Sequence, residues 1–172
     1  MAIREIKIYP DPVLQHKTAR VDVIDQKIQT LIDDMVETMH AAPGVGLAAN
    51  QVGVPLQLAV IDISGREEEG RNHPLLVIIN PEFLSLEGSI VEEEGCLSLP
   101  DFSEKVKRAA RVKVRAQDRH GKTFEMEADG LMAKALQHEI DHLNGLLFLD
   151  RLSPLKRNIL RRKLKKALME TA

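Results

Sequence analysis

The stretch GLMAKALQHEIDHLNG, residues 130–145, decides how the chain is built. Its apolar residues follow two helical lines rather than one. Met132, Leu136, Ile140 and Leu143 form the first; Leu131 and Ala135 lead to His138 and His142 along the second. A helix that is apolar nearly all round belongs inside a core. Asp129 stands where an N-cap would be, and Gly145 lies just past the end. His138 and His142 are four apart, so their rings share one face about a turn apart, with Glu139 between them. Two imidazoles so placed can grip one metal ion while the glutamate serves a water on it. The competing reading is a pair of ordinary core histidines.

Outward from this helix, the chain alternates apolar runs with turn residues. DQKIQTLIDDMVETMHAA (25–42) reads as a second helix. Ile28, Leu31, Ile32, Met35, Val36 and Met39 make its stripe, and Asp25 is its cap. PLQLAVIDIS (55–64) and LLVIIN (75–80) read as buried strands, the latter stopped by Pro81. Residues 66–74 read as a polar loop. ARVKVRAQD (110–118) and KTFEMEAD (122–129) are two more strands across a turn. SPLKRNILRRKLKKALM (153–169) is a last helix, with Ser153 as cap and Pro154 in its first turn. The pattern predicts a single α+β domain of antiparallel or mixed strands around a buried central helix, spanning 1–150. A basic C-terminal amphipathic helix follows at 151–172.

Composition narrows the class. The 172 residues hold 44% apolar and 29% charged side chains, enough for a core and a solvated surface. No apolar run spans a bilayer, and the N-terminal stretch lacks a secretory signal, so a cytoplasmic protein is expected. The single cysteine excludes an internal disulfide framework. The net charge of −2 conceals a body with 16 basic against 25 acidic residues and a tail (151–172) with 8 against 1.

A hydrolytic metal site needs a third protein ligand and one open position. The run from His138 follows H-E-x-x-H-x-x-G-x-x-H until Phe148 stands where the last histidine would be. Glu170, downstream in the basic tail, is a poor substitute. His16, His40, His73, His120 and Cys96 remain upstream. Cys96 stands out in EEEGCLSLP, where Gly95 permits a close backbone approach. It reads equally as a thiolate ligand and as a small buried hydrophobe. A Cys/His₂ set suits zinc.

Three stretches in order, GVGLAANQVG (44–53), EGCLS (94–98) and QHEIDH (137–142), resemble the signature motifs of the peptide deformylases. Asn50 and Lys134-Ala135 are small departures. The resemblance implies hydrolysis of the formyl group on the N-terminal formyl-methionine of nascent polypeptides, with release of formate. It implies Cys96, His138 and His142 as ligands of one divalent ion. That ion is Fe²⁺ in the usual case, with Zn²⁺, Ni²⁺ or Co²⁺ as substitutes. It also implies Glu139 as general base, and Gln51 and the Leu97 N–H as oxyanion donors. Gly44 and Gly46 are expected to bring a loop close to substrate. Val45, Leu131 and Ala135 are expected to line a methionine slot, ordinary core packing being the rival reading for Leu131, with Glu94 and Gly95 in the site wall. Asp141, off the ligand face of a buried helix, requires an arginine partner, with Arg108 the candidate. The rival enzyme reading is a zinc metallopeptidase cutting internal bonds.

The tail helix has three readings: docking on its own domain, binding RNA phosphate, or lying on a membrane. With no Trp or Phe to anchor it, membrane is disfavoured. The resemblance implies a ribosome contact. No DNA partner is expected.

Overall fold

The computed structural model describes residues 2–65 and 74–171; the loop read at 66–74 lies outside them except for Pro74, as does His73. Helix α1 (Gln26–Ala41) precedes strands β1 (Gly46–Ala48), β2 (Leu58–Ile61), β3 (Leu76–Glu87), β4 (Ile90–Cys96), β5 (Leu99–Arg108), β6 (Arg111–Gln117) and β7 (Thr123–Asp129). Helices α2 (Gly130–Leu143) and α3 (Pro154–Thr171) complete the chain. Five strands form one sheet in the order β1-β2-β3-β6-β7, and β4-β5 form a separate hairpin. Every ladder is antiparallel.

β2 shows why the sheet lies where it does. Leu58 and Val60 pack with Ile32, Met35 and Met39 of α1, whereas Ala59 and Ile61 pack with Met132, Leu136 and Ile140 of α2. Side chains alternate across a strand, so a four-residue apolar run buried on both faces belongs between two helices. Each fully buried Ile, Leu or Met here contributes roughly 1.5–3 kcal/mol.

α2 follows its expected bounds, with its apolar line Met132, Leu136, Ile140 and Leu143 buried. Asp129 occupies the N-cap position without making a side-chain cap bond. At the other end the Gly145 N–H bonds the His142 carbonyl at 3.0 Å and the Leu146 N–H bonds the Asp141 carbonyl at 2.9 Å. This is a Schellman closure, and Gly145 serves it at φ +77. The Asp25 cap on α1 is present, its carboxylate accepting from the Ile28 N–H.

One expectation needs correction. Pro81 does not stop the third strand: β3 runs on to Glu87. The ladder to β6 breaks register between Ile79 and Glu82, so the missing Pro81 N–H falls in an irregularity. Asn80, at φ +52, carries that break, bonding Val21 and Gln117 with its side chain. The run Glu92–Glu94 belongs to β4, with Glu92 and Glu93 outside and Glu94 buried.

α3 starts at Pro154, the Ser153 hydroxyl accepting from the Lys156 N–H. Leu160 and Leu164 join a satellite cluster with Leu99, Val106, Phe148 and Leu149. Leu155 and Met169 stay largely in solvent. Among the described residues no helix is long and apolar enough to cross a membrane.

Candidate metal centre

The fold brings the end of β4 against α2. His142 Nε2 lies 3.2 Å from Cys96 Sγ and 3.1 Å from His138 Nε2, and one donor atom from each of the three residues lies within 4.8 Å of the others. Two imidazole nitrogens and a sulfur converge at spacings that a shared metal ion would also produce. A tetrahedral ion at bond lengths of ~2.0–2.3 Å would hold its ligand atoms apart by about 3.3–3.6 Å, close to what is seen. The donor set fits a divalent metal with one position left open.

The outer nitrogens are treated unequally. His138 Nδ1 donates to Glu94 Oε1 at 2.8 Å, which fixes that ring with its Nε2 toward the trio. Glu94 in turn accepts both Arg108 Nε and Nη2 at 2.8 Å. Burial works to raise the Glu94 carboxyl, and its bonds to Arg108 and His138 overcome that and bring it down to about 2. Burial works against charge on His138 too, yet Cys96 and Glu94 beside it push its pKa well up, whereas burial and His138 push His142 well down.

Arg108 also donates to Asp141, as expected, and Arg151 joins it through Nε at 3.0 Å and Nη2 at 2.6 Å. Arg108, Glu94 and Asp141 are all about 95% buried, so the α2 carboxylate has its charge met from two sides. Gln137 locks the same helix to the Ala109 main chain by two bonds of 2.9 Å.

Glu139 is buried next to the trio, and burial raises its carboxyl to about 7, with Glu94 and Asp141 adding and His138 and Arg108 opposing. Its Oε1 has no hydrogen-bond partner among the described residues. Gly46 accounts for how it fits: a Cβ there would come within 2.4 Å of Glu139 Oε2. At Gly44 a Cβ would meet Leu97 Cδ1 at 2.8 Å. The room these glycines leave is thus taken by the protein's own Glu139 and Leu97.

Gln51 sits on a 3-10 turn, Ala49–Val52. Its Oε1 accepts the Ala48 N–H at 2.9 Å, which turns Nε2 toward Ser98 Oγ at 3.1 Å and Cys96 Sγ at 3.7 Å. A cleft of about 930 Å³ opens onto the trio, lined by Gly44, Val45, Gly46, Gln51, Glu94, Gly95, Cys96, Leu97, Leu131, Ala135, His138 and Glu139. Of the residues expected to bind metal or substrate or to act in catalysis, His142 alone is not part of that lining and is almost fully buried. His16 and His120 are exposed elsewhere, and His40 pairs with Asp62 at 2.8 Å. The contacts of Ser98, Asn50 and Arg151 carry no signal in the sequence. Ser98 lay inside a quoted motif, but only the folded chain shows it holding Gln51 and Cys96 Sγ.

Comparison with known proteins places this geometry. The model of the family Polypeptide deformylase matches residues 3–158. A peptide deformylase of Syntrophobacter fumaroxidans is 55% identical over 170 residues, covering 99% of this chain and 98% of that protein. The crystal structure of a peptide deformylase from Legionella pneumophila superimposes with a TM-score of 0.89 at 50% identity, covering 99% of this chain and 98% of the other. The Ehrlichia chaffeensis peptide deformylase in complex with actinonin gives 0.88 at 40% identity, covering 97% and 98%. A cysteine at the end of β4 facing an HExxH helix across a cleft, a family model spanning most of the sequence, and these relatives agree: the chain belongs to the polypeptide deformylase family.

Proposed function

We propose that this chain removes the formyl group from the N-terminal formyl-methionine of newly made polypeptides, releasing formate, with Cys96, His138 and His142 holding the metal. The observation that carries the reading is the buried Glu139 beside three convergent donors on the wall of an open cleft. Fe²⁺ is the proposed ion in the cell, with Zn²⁺, Ni²⁺ or Co²⁺ able to replace it. When bound, the ion supplies Lewis-acid chemistry, polarising a carbonyl and making water acidic near neutral pH.

The side chains do the rest. Glu139, raised to about 7, is suited to accept a proton from attacking water and to return it to the leaving amine, which departs only when protonated. Gln51 Nε2, held by Ala48 and Ser98, and the Leu97 N–H donate to the oxygen that gains charge as the formyl carbon becomes tetrahedral. Glu94 holds the His138 ring. Gly44, Val45, Gly46 and Gly95 shape the cleft around the substrate backbone, and Val45, Leu131 and Ala135 receive the unbranched methionine side chain. The metallopeptidase alternative is not favoured by a chain of this family.

α3 is the proposed ribosome contact, which fits a cytoplasmic enzyme acting where chains emerge. Its Leu160 and Leu164 are buried, so deleting the helix would uncover the body. Charge-removing substitutions on its outer face isolate the contact better.

The deciding assay is anaerobic formate release from formyl-Met-Ala-Ser beside digestion of casein. Formate with intact casein supports the reading; cleaved casein without formate contradicts it.

A further inference from the structure

The three donors ride on two elements: Cys96 ends β4, whereas His138 and His142 belong to α2. The 3-10 turn Ala49–Val52 reaches both. Gln51 extends toward Ser98 and Cys96. Asn50, the residue before it, extends the other way. It is fully buried, and its Nδ2 donates to the backbone carbonyl of His142 at 2.6 Å. That carbonyl already accepts the Gly145 N–H at 3.0 Å in the closing turn of α2, so the Asn50 bond is a second one from a different element. Thr18 does a similar service one residue on, its hydroxyl and N–H bonding the Leu143 carbonyl at 2.8 and 2.9 Å.

Asn50 differs from Thr18 in two respects. It holds the main chain of a metal-site imidazole, and it is covalently next to the side chain aimed at the reacting oxygen. It is also a costly way to cap a helix. Its Oδ1 is buried with no hydrogen-bond partner among the described residues, and so is His142 Nδ1. A buried unpaired acceptor works against folding, and an apolar side chain of the same volume would avoid it. Glu94 fixes the outer nitrogen of the His138 ring, whereas the outer nitrogen of His142, Nδ1, has no such partner among the described residues and Asn50 holds its main chain instead.

We propose that Asn50 is a positioning residue: its carboxamide ties His142 to the turn carrying Gln51, so that the second imidazole and the oxyanion donor keep one spacing. The proposal rests on the deformylase reading above. Partners behind a metal's ligands commonly matter ten- to a hundredfold in metal affinity or rate.

The test uses the full chain loaded anaerobically with Co²⁺. Asn50→Leu keeps the branched heavy-atom skeleton and removes the donor; Asn50→Asp keeps the shape and removes the amide donor. Three quantities are read: the visible cobalt spectrum with its thiolate charge-transfer band, the rate of cobalt loss to a chelator, and kcat and KM for formyl-Met-Ala-Ser. In both variants the spectrum should shift, cobalt should leave ~10-fold faster or more, and kcat should fall ~10-fold with KM little changed. A variant with the wild-type spectrum, metal-loss rate and kcat, and only a lower Tm, would make Asn50 a plain helix cap and overturn the proposal. If neither variant folds, Asn50→Ala, which only deletes atoms, is judged by the same three readings. A wild-type protein with no thiolate band or no formate release would overturn the deformylase reading itself, and the proposal with it.

Discussion

α2 and α3 are both helices rich in charge, and they keep that charge in opposite places. α2 buries Glu139, Asp141 and His142 together with its apolar line, and Asp141 is met by two guanidiniums. α3 buries Leu160 and Leu164 and leaves most of its basic residues in solvent. Its pairs to the body, Lys156–Glu104 and Arg161–Asp150, are both long, at 3.8 Å. Exposed pairs of that kind contribute about 0–1 kcal/mol, whereas a buried charge stripped of its partner costs several. Inward charge is therefore kept where chemistry or placement requires it, and outward charge is free to serve a partner without touching the fold.

The contrast can be broken most sharply at Glu139. Glu139→Gln should lower kcat for formate release by roughly a thousandfold while leaving metal content unchanged, since the carboxylate moves protons and is not a ligand. Metal analysis beside steady-state kinetics checks both halves. Next comes the charge behind the site. Arg108→Leu leaves the buried Glu94 without its guanidinium and should destabilise the chain by about 3–5 kcal/mol in urea unfolding, although Arg151 still holds Asp141. Gly46→Ala should act on rate more than stability. The new methyl displaces the Glu139 carboxylate, and kcat should fall by about 100-fold with unfolding nearly unchanged. The smallest effect belongs to α3. Replacing exposed Lys165 and Lys166 by Ala should change stability by less than about 0.5 kcal/mol and leave short-peptide turnover intact; lowered ribosome affinity in the same variant would sharpen the contrast.

What was legible in the sequence follows the same divide. α1 and α2 announce themselves because their apolar residues recur at helical spacing over several turns, and their ends carry Asp25 and Gly145. The trio was legible because HExxH fixes two donors by helical geometry alone, and the motif around Cys96 supplied the third. The β4-β5 hairpin was not legible. Ile90, Val91, Glu92 and Glu93 are all exposed, so no apolar alternation marks a buried face. β3 is longer than the sequence suggests because a proline within a strand ordinarily ends it, and only the break in the ladder shows how this one is tolerated. The Asp141–Arg108 pair could be anticipated from the cost of a buried aspartate. Arg151 and Asn50 could not, because their partners meet them only through the tertiary fold.

Everything turns on sulfur from β4 and nitrogen from α2 sharing one ion. X-ray absorption at the zinc K edge of the zinc-loaded chain measures this directly. One sulfur at about 2.3 Å and two imidazole nitrogens at about 2.0–2.1 Å are expected, with the sulfur shell lost in Cys96→Ser. A wild-type spectrum containing only nitrogen and oxygen neighbours would contradict it.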